Sequence, residues 1–145
     1  MLRTVDYLII GSGLAGLTAA LKLPRNSKVL IITRAEVDVG SSPWAQGGIA
    51  AAVSVDDNSE SHYRDTIEAG AFLCNEESVK ILTEEGPQAI ENLIEWGVNF
   101  SKSNSDSQYP YHLALEGGHS KARILNAKDL TGWEIVRALV SECKS

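Results

Sequence analysis

The residues best suited to chemistry near the start of the chain are the three glycines of Gly11-Ser-Gly13-Leu-Ala-Gly16. This G-x-G-x-x-G pattern follows the apolar run Tyr7–Ile10 and opens an Ala- and Leu-rich segment, the setting in which such a loop binds the diphosphate of a dinucleotide. Gly11 allows the tight turn, Gly13 lets the backbone approach the diphosphate, and Gly16 permits close packing of helix on strand. The pattern therefore predicts a dinucleotide site, with a glycine-rich turn that binds nothing as the alternative.

The kind of dinucleotide is usually read at the end of the next strand, where an acidic residue binds the ribose hydroxyls. Thr33 and Arg34 occupy that place here. Arg34 is suited to the 2′-phosphate of NADP, whereas Glu36 is suited to act as a displaced ribose-binding acid. A solvated charge pair at the end of a strand is the third possibility, and the residues alone leave all three open.

A strand, a helix and a second strand must position this loop. Tyr7–Ile10 reads as a strand that is buried on both faces of a parallel sheet, because it is a continuous apolar run. Leu14–Leu23 reads as a buried helix that Pro24 stops, and Lys28–Thr33 reads as the second strand. A right-handed crossover makes the two strands parallel, so the predicted fold class is α/β with a Rossmann-like βαβ unit.

The rest of the chain is predicted to be a loop followed by helices. Residues 36–57 are rich in glycine and serine and contain one weak strand over residues 49–55. Helical spacing then leads to Gly70, and Gly86-Pro87 predicts the end of one helix and the start of another. The spacing of Thr131 and Glu134 predicts a capping box at the start of a last helix.

The composition excludes several classes of partner. The chain of 145 residues has a net charge of −6 and no basic cluster, so nucleic acid and anionic membranes are poor partners and small molecules are favoured. Cys74 and Cys143 are far apart and suggest neither a disulfide framework nor a metal site, which fits a reducing cytoplasm. No signal peptide or membrane-spanning run is apparent.

The last periodic segment, Thr131–Cys143, runs almost to the final residue without the Gly or Pro expected after a helix. We therefore expect residues 1–145 to be the N-terminal part of a longer domain, which this chain contains only incompletely.

A second glycine-rich segment carries a resemblance. Gly40-Ser-Ser-Pro-Trp-Ala-Gln-Gly-Gly-Ile-Ala51 resembles the flavin-cradling loop of the succinate dehydrogenase/fumarate reductase flavoprotein family. The resemblance extends over nearly the whole chain, through Ser61-His-x-x-Asp65-Thr66, Ala69-Gly70, Glu85-Gly-Pro87, Trp96-Gly-Val98, Phe100, Glu116-Gly-Gly-His-Ser120, Arg123-Ile124 and Asp129-x-Thr131-Gly132. The chain is most similar to the branch of this family that oxidises L-aspartate.

The resemblance implies that the dinucleotide is FAD and that the chain is an incomplete FAD-binding domain without the substrate-capping domain. It implies that Arg34 lies near the adenosine ribose. The other implied FAD-binding residues are those of the first glycine loop and of the flavin-cradling loop: Gly11, Ser12, Gly13, Leu14, Ala15, Gly16, Ser41, Ser42, Pro43, Trp44, Ala45, Gln46, Gly47 and Gly48. Respiratory members carry FAD on a histidine where this chain has Ser41, so non-covalent FAD is expected.

Glu116 is the candidate catalytic residue, in a substrate-orienting role. It resembles the carboxylate of the aspartate-oxidising branch, where dicarboxylate-only relatives have an aromatic side chain. A carboxylate there would discriminate aspartate from succinate, because only aspartate carries an ammonium group. His119 is expected to order the same loop, and His62 and Asp65 are expected to touch on one helix and fix it against the flavin-cradling loop.

The activity implied is oxidation of L-aspartate to iminoaspartate, with oxygen or fumarate as acceptor and quinolinate synthase as the next enzyme toward NAD. The key arginine and the carboxylate-binding residues of the family are expected beyond Ser145. Two alternatives remain: a dinucleotide-binding fragment without catalysis, and a fumarate reductase- or succinate dehydrogenase-like flavoprotein with non-covalent FAD.

Overall fold

The computed structural model describes residues 4–103 and 108–145. It begins with β1 (Tyr7–Ile10), α1 (Leu14–Leu21) and β2 (Val29–Ile32). β1 and β2 pair in parallel, with Tyr7 opposite Val29 and Ile10 opposite Ile32. The predicted α/β fold with a parallel βαβ unit is confirmed.

A second, antiparallel sheet lies downstream. Its strands β3 (Ile49–Ala50), β4 (Leu113–Ala114) and β5 (Ile124–Leu125) are arranged in the order β3-β5-β4. The strand predicted over residues 49–55 is therefore correct only at its first two positions. Strands of two residues have no alternating pattern to detect, so β4 and β5 could not be predicted.

Three longer helices complete the fold: α2 (Ser59–Ala69), α3 (Glu76–Glu95) and α4 (Thr131–Glu142). The predicted helix before Gly70 is confirmed, since Gly70 caps α2. The prediction of two helices separated at Gly86-Pro87 is wrong, because α3 runs through both residues. The buried Val79 on one side of the proline and Ile90 and Leu93 on the other anchor the helix to the rest of the chain. Tertiary packing thus outweighs the local stop signal.

The capping box predicted at the start of α4 is also wrong. Leu130 is the N-cap, and it makes no side-chain capping bond. The Thr131 hydroxyl instead accepts from the N–H of Ala127 and donates to the carbonyl oxygen of Gln46. Glu134 accepts from the N–H of Asn99 and from Arg137.

The core lies between α1, α3, α4 and the second sheet. Its buried members are Leu17, Ala51, Ile90, Leu93, Val98, Phe100, Leu125, Ile135, Val136, Ala138 and Leu139. Because Leu17 of α1 belongs to this core, the helix that begins at the glycine loop is fixed to the rest of the chain.

The first sheet is much less covered than predicted. Leu8 is 55% exposed and Ile10 is 81% exposed. The expectation that β1 is buried on both faces is therefore wrong for this chain, since apolar character does not itself supply the elements that cover a strand.

No helix in residues 4–103 and 108–145 is long and apolar enough to cross a membrane.

Candidate functional site

The first glycine loop is held between the ends of β1 and β2. The N–H of Gly11 donates to the carbonyl oxygen of Ile32 at 2.8 Å, and the Ser12 hydroxyl donates to the Thr33 hydroxyl at 3.2 Å. Gly11 has a φ of +114°, a conformation that glycine adopts without strain. At Gly16 an added Cβ would overlap the carbonyl oxygen of Gly11. Glycine is thus required both for the turn and for the packing of α1 beneath it.

The N-terminus of α1 has no side-chain cap. Its N-cap, Gly13, has no side chain to offer, and the first turn contains no acidic residue. Unpaired N–H groups and the positive end of the helix dipole favour an anion at such a terminus. This terminus is therefore suited to an anionic group such as the diphosphate of a dinucleotide.

A cleft of about 480 Å³ lies beyond the carboxyl ends of β1 and β2. Its lining consists of Ile10, Gly11, Ile32, Thr33 and Arg34. Ligands of open α/β sheets bind at this end of the strands. The cleft adjoins the glycine loop and includes Arg34, so it is suited to the adenosine half of the dinucleotide.

The flavin-cradling loop is built on the start of α4. Its residues Ser42–Trp44 form a 3₁₀ turn, and the carbonyl oxygen of Ala45 accepts from the N–H of Gly132 at 2.8 Å. An added Cβ on Gly132 would collide with the Ser42 carbonyl and would lie 2.9 Å from the Ala45 carbonyl oxygen. Gly132 is therefore required for this close contact, and Thr131 reinforces it through Gln46.

The two glycine-rich loops lie next to each other. The position of a Cβ on Gly13 is 3.9 Å from the hydroxyl oxygen of Ser42. At the other end of the flavin-cradling loop, a Cβ on Gly48 would collide with Ile124 of β5. The residues between, including Trp44, Gln46 and Gly47, are exposed and form one open surface beside the start of α1.

Glu116 lies against this surface. Its carboxylate oxygen Oε1 is 3.9 Å from the position that a Cβ on Gly47 would take. Glu116 is on a turn in which the N–H of His119 donates to the Glu116 carbonyl oxygen at 3.3 Å. Gly118 occupies the turn with a φ of +81°. An exposed carboxylate is thus placed beside the flavin-cradling loop, where it could pair with a cationic group of a substrate.

A buried ion network lies behind this turn. The Arg123 side chain is 0% exposed and forms ion pairs with Asp57 at 2.8 Å and with Asp65 at 2.7 Å. Ser120 donates to the same Asp65 oxygen through its N–H at 2.7 Å and its hydroxyl at 2.8 Å. Burial alone would raise the pKa of Asp65, but the hydrogen bonds from Ser120 and Arg123 lower it overall. The network joins α2, the segment after β3 and the turn of Glu116.

The expected contact between His62 and Asp65 is not a hydrogen bond or an ion pair in the described part of the chain. Asp65 bonds with Ser120 and Arg123, while Nδ1 of the buried His62 has no hydrogen-bond partner among the described residues. The His62 ring lies 5.6 Å from the ring of His119, centroid to centroid. Burial, followed by the nearby charge of Arg123, lowers the pKa of His62. The helix is fixed by Asp65, and it is fixed to the turn of Glu116 rather than to the flavin-cradling loop.

Sequence reasoning located both glycine-rich loops and Glu116, and the structure brings them to one side of the chain. Trp44 is 81% exposed in the flavin-cradling loop, and Arg34 is exposed at the cleft. The roles of Asp57 and Ser120, and the pairing of Arg123, were missed. A buried arginine with two acidic partners leaves no local signal, since Asp57 and Arg123 are 66 positions apart.

Within residues 4–103 and 108–145, no group of three or more His, Cys, Asp or Glu side chains is arranged to hold a metal ion.

Comparison with known proteins agrees with the geometry. The family model described as "FAD binding domain" matches residues 6–145. L-aspartate oxidase of Synechocystis sp. is 45% identical over 142 residues, which cover 97% of this chain and 25% of that protein. L-aspartate oxidase 2-a, chloroplastic, of Nicotiana tabacum is 46% identical over 138 residues, which cover 95% of this chain and 21% of that protein.

Solved structures give the same result for the fold. The Mycobacterium smegmatis Sdh1 complex in the apo form matches with a TM-score of 0.85 and 30% identity over 95% of this chain and 23% of that one. A quinol-fumarate reductase with menaquinol molecules matches with a TM-score of 0.85 and 28% identity over 97% of this chain and 24% of that one.

The chain spans about a quarter of the length of the curated relatives it matches. The resemblance to the succinate dehydrogenase/fumarate reductase flavoproteins and to their aspartate-oxidising branch is confirmed. FAD rather than NADP is the cofactor, so the first possibility considered above for this strand end, binding of a 2′-phosphate by Arg34, does not apply. The chain belongs to the FAD-binding domain family.

Proposed function

We propose that the protein carrying this chain oxidises L-aspartate to iminoaspartate with FAD, and that the chain forms the N-terminal part of its FAD-binding domain. The observation that carries the proposal is the position of Glu116, whose carboxylate lies beside Gly47 of the flavin-cradling loop. The L-aspartate oxidases that match nearly the whole chain support it.

Glu116 selects the substrate by charge. Aspartate and succinate share two carboxylates, but only aspartate carries an ammonium group. A carboxylate near the flavin pairs with that group and leaves succinate without a partner. The pairing also fixes Cα of aspartate in one orientation relative to the flavin, which contributes to catalysis by positioning. Glu116 acts by orientation and is not the base.

The two glycine-rich loops hold FAD in complementary ways. The uncapped start of α1 binds the diphosphate, and the cleft beside Arg34 holds the adenosine half. Ser41 to Gly48 would hold the isoalloxazine, and the N–H groups of Gln46, Gly47 and Gly48 would stabilise negative charge on it. Bound FAD would supply the acceptor for the hydride that leaves Cα of aspartate, while the ammonium group loses a proton so that the C=N bond forms. A serine cannot form the covalent bond that a histidine forms with FAD, so Ser41 leaves the cofactor non-covalently bound.

Reduced FAD passes its electrons to dioxygen or fumarate. Quinolinate synthase then consumes iminoaspartate on the route to NAD. Iminoaspartate hydrolyses in water, so its direct use by a following enzyme is chemically favoured. The two carboxylates of aspartate need local cationic or N–H donor groups, because the substrate is a net anion and this chain has a net charge of −6.

Anaerobic reduction of bound FAD tests the proposal. The flavin absorbance of the purified protein should bleach when L-aspartate is added, and it should remain when succinate is added at the same concentration. Bleaching by succinate and not by aspartate would overturn the proposal.

That opposite result would favour a second candidate function, dicarboxylate oxidation or reduction. The observation that supports this candidate is the structural likeness to the Sdh1 complex and to quinol-fumarate reductase. The lower identity of those proteins, 28% to 30% against 45% to 46%, makes it the weaker of the two.

A further inference from the structure

Arg123 is the most fully engaged charged group in the described part of the chain. Its Nε donates to Oδ2 of Asp57 at 2.8 Å, and its Nη2 donates to Oδ1 of Asp57 at 2.9 Å. Nη2 also donates to the hydroxyl of Ser61, and Nη1 donates to Asp65 and to Nδ1 of His119. A guanidinium has five N–H donors, and these contacts use all of them. Arg123 therefore has no donor left for a substrate carboxylate.

His119 and Ser120, at the C-terminal end of the turn that carries Glu116, are held by Arg123 and by Asp65, respectively. His119 closes that turn through its N–H, and its ring nitrogen Nδ1 lies 3.3 Å from Nη1 of Arg123. Ser120, the next residue, is held by two hydrogen bonds to the Asp65 oxygen that also pairs with Arg123. Displacement of either partner would therefore move the turn.

We propose that Asp57, Arg123 and Asp65 form a positioning unit for the oxidation reaction, which holds Glu116 at the flavin-cradling loop through His119 and Ser120. This inference rests on the proposed function and extends it to residues that touch neither substrate nor FAD. The unit acts on the step that needs Glu116, the binding and oxidation of an ammonium-bearing substrate. It leaves unchanged a step whose substrate has no ammonium group, such as the reduction of fumarate.

The test compares two reactions of the FAD-loaded protein: reduction of the flavin by L-aspartate and reoxidation of the reduced flavin by fumarate. Arg123→Lys keeps the charge but cannot bridge both carboxylates, and Ser120→Ala removes one bond to Asp65 with little change of volume. For each variant we expect the rate of reduction at subsaturating aspartate to fall about tenfold or more, as small misplacements of orienting groups do, with fumarate reoxidation within about twofold of wild type.

Arg137→Lys is the matched control, because Arg137 also pairs with a carboxylate, that of Glu134, but on α4 and away from the turn. It should leave both rates unchanged. The double variant Glu116→Gln/Arg123→Lys should be reduced by aspartate at a rate within about twofold of that of Glu116→Gln alone, because the unit acts through Glu116.

Equal losses in both reactions, or an undiminished effect of Arg123→Lys in the Glu116→Gln background, would overturn the positioning role. If Arg123→Lys fails to retain FAD, Ser120→Ala decides by the same two rates. A wild-type protein that reoxidises with fumarate but is not reduced by aspartate overturns the proposed function, and this inference with it.

Discussion

Substitution of Gly16 by alanine tests whether the first glycine loop must keep its present shape to bind FAD. An added Cβ would overlap the carbonyl oxygen of Gly11 and would lie 3.3 Å from Cγ2 of Ile9. The overlap is with backbone, so either α1 or the turn at Gly11 must move. That turn is also fixed from the other side, because the Gly11 N–H bonds with Ile32.

The size of the effect follows from the balance of two terms. Overpacking of this kind costs about 1–3 kcal/mol. Alanine in place of glycine inside a helix stabilises the helix by up to about 1 kcal/mol. Because the overlap is with backbone, the overpacking cost lies in the upper part of that range, at about 2–3 kcal/mol, and the net cost is about 1–2 kcal/mol. If this cost falls on the FAD-bound state, it raises the Kd for FAD by about 5- to 30-fold. Titration of the apoprotein with FAD, followed by the loss of flavin fluorescence on binding, measures this change.

Gly86→Ala is the matched control. A Cβ at Gly86 would meet Ala51 at an ordinary contact distance of 3.6 Å, and Gly86 lies within α3. This variant should bind FAD like the wild type and unfold at a slightly higher temperature. If Gly16→Ala binds FAD within twofold of wild type and is equally stable, the requirement for glycine at this position is refuted.

Three further predictions concern the supports of the site. Gly132→Ala places a Cβ against the Ser42 and Ala45 carbonyls, so the purified variant should contain less than half the FAD of the wild type by absorbance. Burial and the charge of Arg123 lower the pKa of His62. Below about pH 6.5, His62 therefore takes up a proton in the unfolded chain but stays neutral in the folded chain. The free energy of unfolding should therefore decrease as the pH falls from 6.5 toward the folded pKa, by up to about 1.4 kcal/mol per pH unit in urea titrations; His62→Gln should remove this slope, and a change at the exposed His112 should not. The pKa of Asp65 is lowered from its ordinary value of 3.8, so its contribution to stability is present above that pH and is lost as the pH falls through the folded pKa. Asp65→Asn should flatten the acid limb of a pH titration of unfolding, and an unchanged limb would contradict the ion network.

The parts of the fold that were predictable are those with a local signal. The G-x-G-x-x-G loop between an apolar run and an Ala-rich helix predicts the parallel pair of β1 and β2 directly, because each feature is continuous in sequence. The position of Glu116 beside the flavin-cradling loop follows from the resemblance alone. Glu116 and Gly47 are 69 positions apart with two helices between them, and nothing in that spacing indicates that they lie side by side.

The errors have a common physical cause, which is that tertiary contacts decide what local preference leaves open. Gly86-Pro87 is a strong stop signal, but α3 continues through it because its apolar face is packed in the core. The hydroxyl of Thr131 is a good N-cap by type, but it bonds with Ala127 and Gln46 instead. The ion network around Arg123 assembles groups from three segments, and no local pattern could report it.

The most direct test of the account compares wild type and Glu116→Gln in anaerobic reduction of bound FAD by L-aspartate. Glutamine keeps the size of the side chain and removes the charge that pairs with the ammonium group. We predict that the rate at subsaturating aspartate falls about tenfold or more, since a hydrogen bond to a charged group is lost, and that FAD content stays unchanged. Aspartate reduction at the wild-type rate in Glu116→Gln would contradict the central claim that Glu116 selects this substrate.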